Sequence, residues 1–411
     1  MTKTKLIQIN TVCNTSTGHI MGDIARGANE AGFDTMIIYG RRMPFDDLNC
    51  VKVGNSAFFW LHVALTTAFD LQGLGSILIT RKIVNILRRE NPDIIHLHNI
   101  HGYYLNYPIL FKYLRDEFKG RVFWTLHDCW AFTGHCAHYV AAGCDKWKTG
   151  CSHCPCKNEY PISWGLDSSK GNYTRKKKLF SGISNMTLIV PSDWLKSQVQ
   201  ESFLKDYRTI VVNNGIDVKR FSYNKCEDIR AKYGIAEDKK IILGVSSVWN
   251  RKKGFDDFIK LSEVLPDDYV IVLVGLSPSQ KVTLPKNIVG VVKTADQDEL
   301  IKLYSEAYIF MNPSLEESFS LVTVEAMSCG LPAIVLDTSA VGDLVRPEVG
   351  VVLHEHESED YLNAIKHIDD KLKAGEYDRS SISEYAGRYS KASMINSMLK
   401  IYNENRDKDY E

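Results

Sequence analysis

The stretch from Ala307 to Asp337 constrains the fold more tightly than any other part of the chain. Tyr308–Met311 is a short apolar run typical of a buried strand, and Asn312-Pro313-Ser314 interrupts it. Apolar residues then recur at helical spacing until Gly330, where a glycine followed by a proline ends a helix. Ala333–Leu336 is a second buried strand. This succession of strand, helix and strand predicts an α/β fold.

Two glutamates flank the beginning of the predicted helix. Glu317 precedes it, and Glu325 follows eight residues later, about 12 Å further along a helix that rises 1.5 Å per residue. Acids at that separation can hold two ends of a long ligand, and the free N–H groups of the helix N-terminus suit a diphosphate between them. The alternative is structural: Glu316 and Glu317 cap the helix, and Glu325 lies on its solvated face.

The run PSLEESFSL from Pro313, followed by EAMSCGLP from Glu325, resembles the E-x7-E signature of the retaining glycosyltransferases of family 4, or glycosyl transferases group 1. This resemblance extends over nearly the whole chain. It implies the GT-B fold, in which two Rossmann-like α/β domains face a central cleft. It also implies that Glu317 contacts donor-sugar hydroxyls and that Glu325 binds the ribose hydroxyls.

The residues between the two glutamates depart slightly from the family pattern. The family usually has Gly-Phe-Gly where this chain has Ser318-Phe319-Ser320. Serine is small enough to keep the backbone close to a phosphate, so we expect Ser318, Phe319, Ser320 and Leu321 to bind the donor.

With 411 residues the chain is too long for one ordinary core, so two domains are expected. The run Asn213-Asn214-Gly215-Ile216-Asp217 matches the family's crossing between the domains. We place an acceptor domain at 1–207, a nucleotide-sugar donor domain at 208–380, and a C-terminal helix at 381–411 that packs back on the first domain, as the resemblance implies.

Composition excludes some partners. The chain has 50 basic and 50 acidic residues, so no global field points to nucleic acid. No segment resembles a signal peptide, and no apolar run reaches the ~20 residues that span a bilayer. The expected location is the cytoplasm.

In the first domain, two residues follow predicted strands. Gly18 stands at a strand-to-helix turn where family members place a glycine loop near the donor phosphates, although most such glycines only make a turn. His127 ends the strand Val122–Leu126, in the position of a family histidine near the donor sugar and acceptor. Asp128 either orients that histidine or caps the next turn.

In the second domain, Lys253-Gly254 matches a family turn, whereas Val248 replaces the expected arginine and Arg251 offers a charge nearby. Two cations facing the leaving diphosphate would stabilise its developing charge without a catalytic metal. The alternative is a basic surface turn.

Asp296-Gln297-Asp298 has the acid-x-acid form of a cation site, but it directly precedes a helix, so we interpret it as a cap.

Six of the ten cysteines crowd between Cys129 and Cys156, as in a subgroup of surface-polysaccharide glycosyltransferases that this region resembles. Cys151-x2-Cys154 has metal-knuckle spacing, and Cys136 with Cys144 would complete a structural zinc site. Free buried thiols and a redox-sensitive cluster are the alternatives.

The most apolar region, Ala57 to Ile79, is followed by basic residues, among them Arg81 and Lys82. Aromatic and basic residues on one helix suit a membrane surface, which would fit a lipid-linked acceptor. The alternative is an ordinary buried or partner-covered helix.

Together these features predict a retaining glycosyltransferase that moves a sugar from a UDP- or GDP-sugar to a saccharide or lipid-linked saccharide in surface-polysaccharide biosynthesis. The alternatives are a nucleotide-sugar epimerase or a sugar phosphorylase on the same fold, and a non-catalytic scaffold that binds a partner through its zinc loop.

Overall fold

The computed structural model describes residues 3–224 and 228–404. The chain forms two compact units. One comprises the residues up to Asn213 together with those from Met394 onward, and the other comprises Asn214–Ser393. Each unit is built on its own parallel sheet.

Seven strands of the described chain form the sheet of the first unit: β1 (Lys5–Val12), β2 (Asp34–Arg41), β3 (Cys50–Lys52), β4 (Ile94–Leu97), β5 (Arg121–Thr125), β6 (Met186–Val190) and β7 (Thr209–Val211). They lie in the order β3-β2-β1-β4-β5-β6-β7. The helices are α1 (Ser16–Glu30), α2 (Ser56–Phe69), α3 (Ile77–Glu90), α4 (Tyr107–Asp116), α5 (Ser169–Phe180) and α6 (Asp193–Glu201). The central strands β4 and β5 are buried along almost their whole length, as in parallel sheets covered on both faces.

Six described strands form the sheet of the second unit: β8 (Lys240–Val245), β9 (Tyr269–Val274), β10 (Ile288–Val291), β11 (Ile309–Asn312), β12 (Ala333–Leu336) and β13 (Gly350–Leu353). Their order is β10-β9-β8-β11-β12-β13. The helices after Asn213 in the chain are α7 (Asp228–Tyr233), α8 (Phe255–Val264), α9 (Pro278–Val282), α10 (Gln297–Glu306), α11 (Leu321–Ser328), α12 (Ser358–Lys373), α13 (Arg379–Ala386) and α14 (Lys391–Asn403), of which α14 belongs to the first unit from Met394 onward.

The strand order reverses beside the first strand of each sheet, between β1 and β4 in one and between β8 and β11 in the other. Loops that leave two such strands run to opposite sides and open a crevice, which is where open α/β sheets bind ligands. The loops after these four strands are therefore where each unit presents functional side chains.

The units divide at positions that differ somewhat from the expected boundaries. The first unit extends beyond 207 because β7 pairs with β6 and so belongs to the first sheet. Helix α13 stays with the second unit, where Arg379 donates hydrogen bonds to the carbonyls of Cys329 and Ala307. The chain consequently returns to the first unit at Met394 rather than at 381.

Helix α14 contributes to the core of the first unit from Met394 onward. Its buried residues Met398 and Tyr402 belong to the same hydrophobic cluster as Phe123 of β5. The Tyr402 hydroxyl also bonds to Nδ1 of the buried His96 at 2.5 Å. Residues 405–411 of the expected C-terminal segment lie outside the described residues. Of the helices that the structure describes, none has both the length and the apolar character to cross a bilayer.

Candidate active site

In the second unit, the loop after β8 packs directly against the loop after β11. Arg251–Lys253 forms a 3-10 turn whose N-cap is Asn250. Gly254 ends the turn with a φ of +72°, and a Cβ there would lie 2.3 Å from Cγ of Pro313 in the other loop. The Leu315 N–H donates to the carbonyl of the middle residue of the turn at 2.8 Å. Only glycine permits both the backbone conformation and this close approach.

This packing brings Lys253 and Glu317 together. The Nζ of Lys253 lies 2.7 Å from Oε1 of Glu317. The Glu317 N–H donates to Oγ of Ser339 at 2.9 Å, which anchors the acidic loop. Both side chains are partly exposed, 31% for the lysine and 19% for the glutamate, so a ligand can reach them. Arg251, the other predicted cation, lies exposed at the start of the same turn.

The neighbouring acid, Glu316, has a different environment. It is buried, and its Oε2 lies 3.8 Å from Nζ of Lys252. A buried carboxylate requires compensating contacts within the protein, so Glu316 has a structural role in this loop. Of the two adjacent glutamates, Glu317 is therefore the one available to a ligand.

Four predicted donor residues lead into α11. Phe319 is buried with its ring 5.8 Å from that of Tyr389, and the buried Ser320 hydroxyl is engaged by two neighbouring side chains. Ser318 and Leu321 are half-buried. Since the phenyl ring faces the core, Phe319 can meet a ligand only through its backbone, as the N–H groups at the start of a helix do.

Glu325 lies further along α11, half-buried. The Tyr304 hydroxyl donates to its Oε2 at 3.1 Å. Burial raises the pKa of Glu325 to about 7, and the hydrogen bond from Tyr304 offsets part of that effect. Near neutral pH this carboxyl is therefore partly protonated and can both donate to and accept from a ligand hydroxyl.

The acid-x-acid triplet is a helix cap, as predicted. The Asp296 carboxylate accepts a hydrogen bond from the Glu299 N–H at 2.9 Å, at the N-terminus of α10. Asp298 pairs with Arg220 at 3.0 Å. Both carboxylates thus have structural partners.

In the first unit, His127 belongs to a row of buried histidines at the carboxyl ends of β4 and β5. Its Nε2 lies 3.1 Å from Nδ1 of His98, and the two rings are stacked. The other nitrogen of His98 lies 3.0 Å from the side-chain oxygen of Gln8. Burial lowers the pKa of His127 to about 4, so its imidazole is neutral near pH 7. A neutral ring can position a hydroxyl group but supplies no positive charge.

The hydrogen bonds of Asp128 show which of its two predicted roles it has, to orient His127 or to cap the next turn. Its Oδ1 accepts a hydrogen bond from the Trp130 N–H at 2.9 Å, so it caps the next turn. Its Oδ2 lies 2.8 Å from Nε2 of His101, whose Nδ1 is 2.9 Å from the Tyr160 hydroxyl. Burial alone would raise the pKa of Asp128, but the interaction with His101 holds that pKa below its ordinary value. Asp128 therefore orients His101 as well as capping the turn.

Gly18 lies buried in the first turn of α1. A Cβ at this position would come within 2.0 Å of the Cys13 carbonyl oxygen in the loop after β1. Close packing of helix and loop thus already requires glycine here, and a role beside a phosphate stays a prediction.

The four cysteines predicted to bind zinc are not brought together as one site. Cys136 and Cys154 share a thiol hydrogen bond with each other, and each also bonds to Cys156. These bonds, first of all the one between Cys136 and Cys154, lower the pKa of Cys154 and raise that of Cys136. Cys151 accepts a hydrogen bond from a backbone N–H at 3.2 Å, and Cys144 is half-buried. Throughout residues 3–224 and 228–404, no three His, Cys, Asp or Glu side chains form a group that could hold a metal ion.

Contacts other than metal ligation hold the cysteine-rich segment in place. The fully buried Lys176 of α5 donates from Nζ to the carbonyls of Trp130 and Thr133, at 2.7 and 3.1 Å. Tyr139 and Trp147 also stack within the segment, with ring centroids 5.0 Å apart. A buried cation and aromatic packing therefore hold this loop, and the described residues form no metal-binding group of the kind that the cysteine spacing predicted.

Sequence reasoning missed three functional candidates in the first unit: Arg41, His98 and His101. His98 directly follows β4, and Arg41 is the last residue of β2. The rule that ligands bind beyond the carboxyl ends of parallel strands, which selected His127, would have selected these residues too.

Two family models match the chain. Residues 18–220 match the model described as Glycosyltransferase Family 4, and residues 225–387 match Glycosyl transferases group 1. A protein named as a colanic acid biosynthesis glycosyl transferase, WcaC, of Escherichia coli (strain K12) is 26% identical over 282 residues, covering 66% of each chain. The chain spans about half the length of other curated relatives that it matches.

Two solved structures show the same fold over almost the whole chain. Sucrose-phosphate synthase from Thermosynechococcus elongatus has a TM-score of 0.72 at 17% identity, covering 98% of this chain and 99% of its own. Anabaena HepE, solved in complex with UDP and glucose, has a TM-score of 0.67 at 16% identity, covering 97% and 99%. The expected GT-B fold class is confirmed, and the chain belongs to the family 4, group 1 glycosyltransferases.

Proposed function

We propose that this protein is a retaining glycosyltransferase that transfers a sugar from a nucleotide-sugar to a saccharide acceptor. The observation that carries the proposal is the contact between Lys253 and Glu317 at the crevice of the second sheet. A lysine, an accessible carboxylate and the N-terminus of α11 lie there together. These are the groups that a sugar linked to a diphosphate requires.

In the proposed complex the donor diphosphate takes over Lys253 from Glu317. The lysine, with Arg251 and the amides of α11, then stabilises the negative charge that grows on the leaving phosphate. Glu317, released from the lysine, accepts hydrogen bonds from hydroxyls of the transferred sugar. Glu325 binds the ribose, for which its partly protonated carboxyl offers both a donor and an acceptor.

Retention of configuration follows in this proposal from attack on the face that the phosphate leaves. The departing phosphate takes the proton of the acceptor hydroxyl, so no protein base is needed. A double displacement would require a carboxylate nucleophile. Asp128, the acid next to His127, is already engaged by His101 and the Trp130 N–H, which favours the same-face reaction. Neutral His127 would position a hydroxyl group.

The relatives narrow the proposed substrates. HepE has been solved with UDP and glucose, so a UDP-sugar is the first choice of donor and a GDP-sugar the second. WcaC is named for colanic acid biosynthesis, which supports a growing surface polysaccharide, free or lipid-linked, as the acceptor. We place the reaction in the cytoplasm, at the inner face of the membrane.

An exposed apolar patch in the first unit supports the membrane location. In α2 the described buried residues are His62 and Thr66 alone, whereas Trp60 is 66% exposed, contrary to an ordinary buried helix. The loop beside α2 is tied to it by a hydrogen bond from the Trp164 N–H to the Thr67 carbonyl, and Trp164 is 76% exposed. Exposed aromatic side chains, followed by the basic residues of α3, suit an anionic membrane surface.

The test of the transferase proposal compares the wild type with Glu317→Gln and with Glu263→Gln, a control at an exposed acid of the same unit. A panel of UDP- and GDP-sugars is assayed for thermal stabilisation and for donor consumption in EDTA. We expect one donor to stabilise the wild type and to be consumed slowly. Glu317→Gln should lower kcat by about 100-fold or more without lowering Tm, while the control behaves as wild type.

Other outcomes of this experiment would contradict the proposed function or the proposed role of Glu317. Equal turnover in Glu317→Gln would remove this acid from the site. Interconversion of sugar nucleotides without an acceptor would identify an epimerase, and dependence on free phosphate would identify a phosphorylase. Failure of every donor to bind would favour the scaffold.

A further inference from the structure

Two adjoining cavities open at the carboxyl ends of strands in the first unit. The larger has a volume of about 530 Å³ and the smaller about 260 Å³. Arg41, the last residue of β2, lines both. The larger cavity reaches the N-terminus of α2, and the smaller reaches that of α1.

Arg41 lacks the partner that a half-buried guanidinium normally has. Its Nε is buried without a hydrogen-bond partner, and no carboxylate in the described parts of the chain pairs with Arg41. Its charged group instead lies over the ring of Phe59, 4.9 Å from the centroid. Burial lowers the pKa of Arg41 from its ordinary value. A cation in this position is unfavourable unless an anion compensates it.

The charged side chains that line the two cavities among the described residues are all basic. Lys52 lines the larger cavity and Arg42 lines the smaller one, whereas no acidic side chain of the described residues lines either. The N-termini of α1 and α2 add their positive dipole ends. Three cations without an opposing acid favour the binding of a negatively charged group.

The wall of the larger cavity is aromatic. Phe59 lies edge to face with Trp60 and with Tyr103, at centroid distances of 5.2 and 5.7 Å. Pockets with apolar and aromatic walls and a few charged groups bind organic ligands in a fixed orientation. The cavity therefore suits a molecule with one apolar surface and one anionic group, rather than a bare inorganic ion.

We propose that this cavity binds the acceptor through an anionic group, either the carboxylate of an acidic sugar or the phosphate of a lipid-linked saccharide. Arg41 forms the charge-assisted hydrogen bonds, and the aromatic wall contacts the ring or chain next to the anion. The inference rests on the proposed function in one respect, the identification of the anionic ligand as the acceptor. The anion site itself depends only on the cavity and on Arg41.

Direct binding tests the proposal without requiring turnover. The probes are methyl glucuronide against methyl glucoside, and farnesyl diphosphate against farnesol, titrated calorimetrically into the full chain. We expect the charged member of at least one pair to bind and its neutral partner to bind at least tenfold more weakly. The first pair identifies an acidic sugar as the source of the anion, and the second a lipid phosphate.

Two substitutions locate the site. Arg41→Gln should weaken binding of the charged probe about 10- to 100-fold, whereas Arg41→Lys should retain part of it. Lys119→Gln removes a charge from an exposed position of the same unit and should leave binding unchanged. A melting temperature equal to that of the wild type shows that each variant is folded.

Three results would overturn the proposal: equal binding of charged and neutral probes, wild-type affinity in Arg41→Gln, or displacement of the probe by UDP, which would assign the cavity to the donor. Anion binding in a protein that consumes no donor would instead overturn the proposed function and leave the anion site standing.

Discussion

Glu325, a half-buried residue, shows how one carboxyl couples stability to pH. Its pKa in the folded chain is about 7, above its ordinary value of 4.5, because burial disfavours the charged form. The folded state therefore binds this proton more tightly than the unfolded state does. The resulting stabilisation is complete below the ordinary pKa and is lost as the pH rises through about 7.

We predict that the free energy of unfolding of the wild type falls by about 2 kcal/mol more than that of Glu325→Gln between about pH 5 and pH 8. Urea unfolding at the two pH values measures this difference. Glu263→Gln, at an exposed acid, should show the pH dependence of the wild type. Parallel pH profiles for the wild type and Glu325→Gln would show that the carboxyl is ionised throughout.

At the scale of elements, the position of Lys253 depends on how closely two loops approach. Gly254 has a φ of +72°, and a side chain there would collide with Pro313. Gly234, which follows α7, has a φ of +65° but open space around it. Comparing substitutions at Gly254 and Gly234 therefore separates the cost of a side chain at positive φ from the cost of disturbing the contact between the two loops.

We predict that Gly254→Ala destabilises the protein by about 1–3 kcal/mol more than Gly234→Ala, since only the former also forces the two loops apart. Moving Lys253 away from Glu317 should lower kcat as well, by about tenfold or more. Urea unfolding and donor consumption are measured on both variants. Equal effects of the two substitutions would mean that the loops adjust without cost.

At the scale of the whole molecule, the exposed aromatic patch predicts where the protein resides. We expect it to float with vesicles containing anionic phosphatidylglycerol more than with neutral phosphatidylcholine vesicles, because basic residues of α3 follow the patch. The double substitution Trp60→Ser, Trp164→Ser should reduce flotation severalfold. Val282→Ser is the control, since Val282 is 83% exposed in the second unit. Unchanged flotation of the double variant would exclude this patch as the membrane contact.

Local sequence patterns predicted much of the architecture. The order of strand, loop, helix and strand around Glu317 was predictable because periodicity, glycine and proline act over a few neighbouring residues. The cap at Asp296 was predictable for the same reason, since its partner is the N–H three residues later. The division into two units followed from length, whereas its position after Asn213 depended on β7 pairing with β6.

Contacts between distant residues required the tertiary structure. Asp128 bonds to His101 and Lys253 to Glu317 across 27 and 64 positions of the chain, and no local pattern encodes such partners. The cysteine spacing suggested zinc, yet Cys154 contacts Cys136 and Cys156 without completing a metal-binding group among the described residues, and the buried Lys176 holds the segment.

The sequence by itself determined the family, the α/β fold class and the acids of the E-x7-E signature, because these depend on residue types at short, regular spacing. Only the tertiary structure decided which of the two adjacent glutamates is accessible, which histidine Asp128 orients, and that Arg41 lies without a counter-ion beside an aromatic cavity. The physical reason is that burial, charge pairing and cavities arise where separate strands and loops meet, and they belong to no single segment of the chain.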